Sequence, residues 1–287
     1  MNISFIIGLL AGFGLVIYGI LQSGTSTSQV ISSFIDIPSM YITFGGAIAA
    51  TIMSIPVKYL KDIPKNMKVL MKKEKINLNV YIDTIEELAK EARLKGLLVL
   101  EEKVNNMDMA DDFLKYCVML IVDAIEPTKV RAQIENEIDC IEARHSSAWK
   151  AFDTLGSFGP AFGMLGTLIG LINMLANMNA SEGADALGKG MSVALVTTFY
   201  GSVLANMICA PISNRLKAKH DEEMIAKEMI MEGVLSIQSG ENPKYIREKL
   251  NSYITYQERG LVAEGEEEAN NKKAKKSRGK KAAKAKI

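Results

Sequence analysis

Charged side chains and histidine are missing from the interiors of four long stretches of this 287-residue chain. The stretches run from Ile3 to Leu21, from Pro38 to about Pro56, from about Phe152 to Met178 and from about Met191 to Ile212, with Asp36, Asp153 and Lys189 only at their edges. Each matches the ~20 helical residues that cross a bilayer core, and none carries a titrating acid in its interior. Cysteine is scarce. Cys117, Cys140 and Cys209 are odd in number and far apart, which excludes a local metal site and leaves buried, inert thiols in a reducing compartment. The two histidines, His145 and His220, lack a ligand partner at i+4 and sit in charged helical sequence, so both are expected on the surface. Strand-type alternation is absent, and the fold class is all-α. The start, MNISFIIGLLAGFGLVIYGI, has neither a basic n-region nor a small-residue cleavage signal and reads as a retained span. No nucleophile–base set or metal cluster stands near a span end, so neither an enzyme nor a cofactor is expected.

Net charge is +1 and 48% of residues are hydrophobic. The apolar residues fall in two blocks and the charges fill the rest, the layout of a membrane protein with a soluble insert. Loop charge sets orientation. The first connection, QSGTSTSQ, has no Lys or Arg; Lys58, Lys61, Lys65, Lys68, Lys72, Lys73 and Lys75 follow the second span; Arg215, Lys217 and Lys219 follow the fourth. Both basic flanks belong in the cytoplasm. The expected division is residues 1–56 as spans one and two, 57–150 as a cytoplasmic helical domain, 151–213 as spans three and four, 214–262 as a cytoplasmic helical extension and 263–287 as a tail. The tail, ending NNKKAKKSRGKKAAKAKI, reads as solvated and disordered, with anionic lipid as its alternative contact and nucleic acid not expected.

The insert reads as helix throughout. Apolar residues at 78, 81, 85, 88 and 92 have helical spacing. Pro127 is placed to open a helix that continues into span three, span four continues through NRLKAKHDEEMIAKEMIMEGVLSIQ, and Asn242-Pro243 forms a cap and first turn. Spans three and four are rich in residues that weaken a helix. Pro160 and Thr167 share one face within ~20°. Gly159, Gly163, Gly166 and Gly170 make a small-residue surface expected to admit a neighbouring helix, and span four carries Thr197, Thr198, Gly201, Ser202 and Pro211. Such a surface suits either close packing or an ion path. A path here lacks its acid, so another chain must supply the carboxylate.

GPAFGMLGTLIGLINMLANM followed by MSVALVTTFYGSVLANMICAPISNRL resembles the paired third and fourth spans of the MotA/PomA family of flagellar stator proteins. EARLKGLLVLEE, IMEGVLSIQSGENPKYIREKL and IDIPSMYITFGGAIAAT resemble its cytoplasmic helix, post-membrane segment and second span. The resemblance covers nearly the whole chain before the tail. It implies five copies of this chain around two copies of a MotB-type single-span partner, whose aspartate binds the coupling ion, H⁺ or Na⁺. It also implies that the insert pushes on the rotor protein FliG. Pro160 and Pro211 match the family's two functional prolines. Thr167, Thr197 and Thr198 match threonines of its sodium-driven members. Arg93 and Glu101 match the charged pair facing FliG, with Lys95 between them; on one helix they would be ~12 Å apart, too far for a mutual salt bridge. The alternative is an ExbB/TolQ-type transducer, which has one span before its cytoplasmic domain where this chain has two.

Overall fold

The computed structural model describes residues 3–22, 33–71, 76–105, 111–176 and 183–255, and all regular structure in them is helical. The basic tail 263–287, Lys72, Lys73 and Lys75, and the end of span three at Met178 lie outside the described residues. Four helices are long and apolar enough to cross a membrane. The chain folds as two compact units, residues 1–75 with 140–221 and residues 76–139 with 222–287.

In the first unit, α1 (Ile3–Gln22) is almost uniformly apolar. α2 (Ile37–Ser54) begins on Asp36, whose carboxylate accepts from the Ser39 N–H at 2.8 Å and caps the helix. It contains a π-helical turn at Tyr41–Gly45. Short helices α3 (Val57–Lys61) and α4 (Ile63–Met71) follow. α8 (Pro127–Ala176) is one helix of 50 residues, opened by Pro127 as expected, and contributes its residues from Cys140 on to this unit. α9 (Gly183–Ser202) passes through a π-helical segment, Val203–Cys209, into α10 (Ala210–Gln238). Two apolar clusters hold the first unit. Leu70, Phe152, Ile212 and Leu216 form one; Ala47, Leu204 and Cys209, flanked by Phe44 and Phe162, form the other.

The expected surface position fails for His220, which is 8% exposed. Its ring lies 5.0 Å from Trp149, and its Nδ1 is 3.3 Å from Nδ1 of His145. The charged sequence around both histidines lines the outer faces of α8 and α10, while the imidazoles fall on the faces that meet. The thiols divide: Cys117 and Cys209 are buried, whereas Cys140 is exposed. Burial pushes the Cys117 thiol up to about 12, which leaves it inert.

In the second unit, α5 (Leu78–Lys95), α6 (Val99–Asn105), α7 (Asp112–Val122) and α11 (Pro243–Leu250) pack with residues of α8 and α10. Ile82, Ile85, Leu88, Leu100, Ile230 and Ile246 are fully buried. Gly233 on α10 lets α5 and α11 close in: a Cβ there would come within 2.8 Å of Ile85. Asn242 caps α11, accepting from the Lys244 N–H at 3.0 Å, with Pro243 in the first turn as expected. The helical spacing from 78 to 92 does not run on to Glu101. Gly96 has φ 86°, a conformation open to glycine at little cost, and it ends α5. α6 then folds back, and Lys103 reaches Glu87 at 2.7 Å and Glu91 at 3.4 Å.

Candidate functional site

α8 and α9 run antiparallel and touch through glycine. A Cβ on Gly159 would lie 2.9 Å from the Gly201 carbonyl oxygen, one on Gly163 3.1 Å from that of Thr197, and one on Gly170 2.5 Å from that of Gly190. Backbones this close exclude any larger side chain. A Cβ on Gly166 would meet the Thr197 side chain at 2.4 Å. Gly163 and Gly166 therefore receive α9 of the same chain as their neighbouring helix. Short-range packing within the chain uses the small residues first.

This register decides which side chains share a surface. Successive helical residues turn by ~100°, and in an antiparallel pair the turn onward from a contact residue leads to the same side on both helices. Measured from the Gly159–Gly201 contact, Asp153, Pro160 and Thr167 lie ~80–120° round α8, and Thr198 and Ser202 lie ~60–100° round α9, all on one side. Burial agrees: Asp153, Pro160, Thr198 and Ser202 are exposed and Thr167 is half-buried. Thr197 turns ~40° the other way. It is fully buried, and the Thr43 hydroxyl of α2 reaches its carbonyl at 3.3 Å. The sequence places Thr197 and Thr198 side by side, but the fold divides them between a packed face and an open one.

The π-helical segment extends the open face. Four α-helical residues overshoot a full turn by ~40°. A π turn holds more than four residues and cancels that drift. Asn206 accordingly stays in line with Ser202, donating to its carbonyl at 3.1 Å and approaching its hydroxyl at 3.3 Å. Asn206 escaped the sequence reading; an amide inside an apolar run was the signal available. Half-buried Pro211 follows this segment directly. A proline cannot bond the carbonyl four residues back, and the wider turn before it relieves the clash. Pro160, by contrast, sits inside unbroken α8 and frees the Gly156 carbonyl.

The hydroxyls are arranged for acceptor chemistry. Thr167 donates to the Met164 carbonyl at 2.6 Å and Thr198 to that of Ala194 at 3.2 Å. A hydroxyl that spends its proton on its own helix keeps oxygen lone pairs for a cation. At one end of the face the Asp153 carboxylate accepts from the Ser213 hydroxyl and, at 2.8 Å, from Lys217. Near the C-terminal end of α9, Tyr200 donates to the Phe34 carbonyl at 2.5 Å and ties the start of α2 to α9.

In the second unit, Arg93, Lys95 and Glu101 are all exposed. Arg93 and Glu101 stand on different helices either side of Gly96, so an axial separation along one helix does not describe them. Lys95 pairs with Glu91 at 2.9 Å, and the Lys95 hydrogen bond, followed by the nearby Lys103 charge, holds the Glu91 carboxyl below the usual range. Leu94 and Leu98 are 80% and 75% exposed beside these charges. A cavity of about 160 Å³ is lined by Arg93, Leu97, Gln238 and Glu241.

Residues 105–229 match the profile of the MotA/TolQ/ExbB proton channel family, and residues 6–96 match that of the motility protein A N-terminal region. Motility protein A of Borreliella burgdorferi is 37% identical over 91% of this chain and 97% of its own length. Chemotaxis protein PomA of Vibrio alginolyticus is 34% identical over 91% and 98%. Among solved structures, a chain of the Bacillus subtilis flagellar MotAB stator complex superposes with a TM-score of 0.78 at 31% identity, covering 90% of this chain and 98% of that one. A chain of C. jejuni MotAB gives 0.77 at 26% identity, covering 89% and 97%.

Proposed function

The chain belongs to the MotA/TolQ/ExbB proton channel family, in its motility protein A branch, and from this premise we propose that it is the multi-span subunit of a flagellar stator that couples inward flow of H⁺ or Na⁺ to rotation. It works with a MotB-type single-span partner, five copies of this chain around two of the partner, in the plasma membrane with both termini cytoplasmic. The match of residues 6–96 to the motility protein A N-terminal region supports a stator over an ExbB/TolQ-type transducer.

One observation carries this reading. The open face joins Pro160, Thr167, Thr198, Ser202 and Asn206 on one side of the α8–α9 pair, with Asp153 only at its end, and none of those five residues can bind and release a proton as a carboxylate does. Polar groups at membrane depth are expensive and pay back through function. Hydroxyl and amide oxygens and the freed Gly156 carbonyl solvate a passing cation, and the partner's acid carries it. Arg93, Lys95 and Glu101 form the contact to FliG, where exposed charges steer and specify rather than stabilise. Thr197 supports the face from behind, and Pro211 shapes it through the π-helical segment.

Vesicles containing this protein alone are expected to show no cation current, and vesicles containing it with its partner to show one. Equal currents in the two would overturn the reading.

A further inference from the structure

The geometry points to Asp153 as a cation-receiving site at the end of the open face, with Lys217 as a tethered cation that competes for it. This rests on the stator reading above. Asp153 precedes Pro160 and Thr167 at intervals of seven on α8, so it lies on their stripe, ~10 Å along the axis from Pro160 toward the start of the helix. A cation leaving a partner's carboxylate near Pro160 needs a next oxygen toward water, and Asp153 is the acid that the α8–α9 register puts on that side. Its surroundings form a built site. Ser213, 1% exposed, donates to one carboxylate oxygen and fixes the rotamer. The other oxygen holds the Lys217 ammonium at 2.8 Å, and both partners of that pair are more than 40% exposed.

Half-exposure matters in two ways. The carboxylate opens to water, so a cation arriving there can depart. The ammonium, on a flexible four-carbon stem, can swing out without leaving a buried charge unpaired. The exchange conserves charge. A proton or Na⁺ binds the carboxylate as the ammonium turns to solvent; the ammonium then returns and the cation leaves to water. No bond other than the transient O–H of a bound proton forms or breaks. The fold thus ends the path on an acid whose charge is always matched.

The test uses the complex with its partner in vesicles, with a Na⁺ gradient at clamped pH in one arm and a pH gradient without Na⁺ in the other. Recovery of the complex is measured beside flux. Asp153→Asn is expected to cut flux in the active arm by about tenfold or more. Lys217→Gln removes the competitor, so cation on the exit side should inhibit at about three- to fivefold lower concentration than in wild type. A mere structural clip loses the same pair in either variant and predicts equal effects. Equal effects, or wild-type flux in Asp153→Asn, overturn the proposal. If Asp153→Asn does not assemble, the exchange Asp153→Lys with Lys217→Asp decides, because it keeps the clip: flux loss supports the site and wild-type flux refutes it. A wild-type complex that conducts in neither arm sinks the stator reading itself, a distinct result.

Discussion

Thr197 and Thr198 are adjacent in sequence and identical in chemistry, yet they face opposite environments. Thr197 is fully buried, its hydroxyl shared between the Val193 and Ala194 carbonyls. Thr198 is exposed on the open face. Thr197→Ala is expected to destabilise the protein by about 1 kcal/mol, with conduction altered only through stability. Thr198→Ala should leave melting within about 0.5 kcal/mol of wild type and reduce cation flux. Thermal unfolding of the purified complex beside vesicle flux separates them, and the reverse pattern would refute the division. Arg93 and Glu101 show the same logic outside the spans. Each is exposed, and an exposed ion pair is worth ~0–1 kcal/mol. Charge reversal at both should cut torque, leave flux and protein level near normal and be partly rescued by charge reversal on FliG. Lost flux would place them elsewhere in the mechanism.

At the scale of the element, the unusual feature of α8 is that it stays helical through Pro160. Glycine contacts at 159, 163, 166 and 170 bind it to α9 along its length, so the missing hydrogen bond does not break it. The proline leaves one carbonyl free and one turn softer. Pro160→Ala restores the bond to Gly156 and stiffens that turn. Co-purification with the partner is expected to be near normal, while swimming speed falls sharply. A variant that swims normally, or fails to assemble, excludes a role in the working cycle. The π-helical segment in the other wall has an identifiable cause in Pro211 and a consequence in the alignment of Asn206 with Ser202.

At the scale of the whole molecule, the second unit depends on the buried Glu86 and the half-buried Glu232, each paired with cations. Burial by itself would raise the Glu86 carboxyl, but hydrogen bonds from Lys90 and Arg247 outweigh it and hold the group below its ordinary 4.5. The Lys249 hydrogen bond, with Arg131 nearby, lowers Glu232 likewise. Carboxyls lowered in the folded state stabilise it above the unfolded value near 4.5, and that stability is lost as pH falls through the lower folded values. Stability is therefore expected to be flat near neutrality and to fall below about pH 4.5. Arg247→Gln should cost about 1–3 kcal/mol at pH 7 by removing the guanidinium's bonds to Glu86 and Asp83, which leaves Glu86 with Lys90 alone, and should flatten the acid limb. Circular dichroism melts across pH check both, and an unchanged acid limb in the variant would reject the assignment.

Residue order alone determined the helical class, the four apolar helices and the continuity of α8, because charge spacing and helical periodicity are local properties that no packing reverses. Asn242-Pro243 and Pro127 were legible for the same reason: a cap and a first turn concern only their immediate neighbours. The family was legible from motifs such as GPAFGMLGTLIGLINML, and Pro160 and Thr167 from their seven-residue interval. The break at Gly96 was not, since glycine is tolerated inside a helix and only α6 folding back onto α5 requires its positive φ. His220 meeting His145 and Trp149, the burial of Thr197, the alignment of Asn206 and the place of Asp153 on the open face all depend on how α8 and α9–α10 register against each other. Register is set by which glycines meet across the pair, a relation between residues some twenty to forty positions apart that no local pattern encodes.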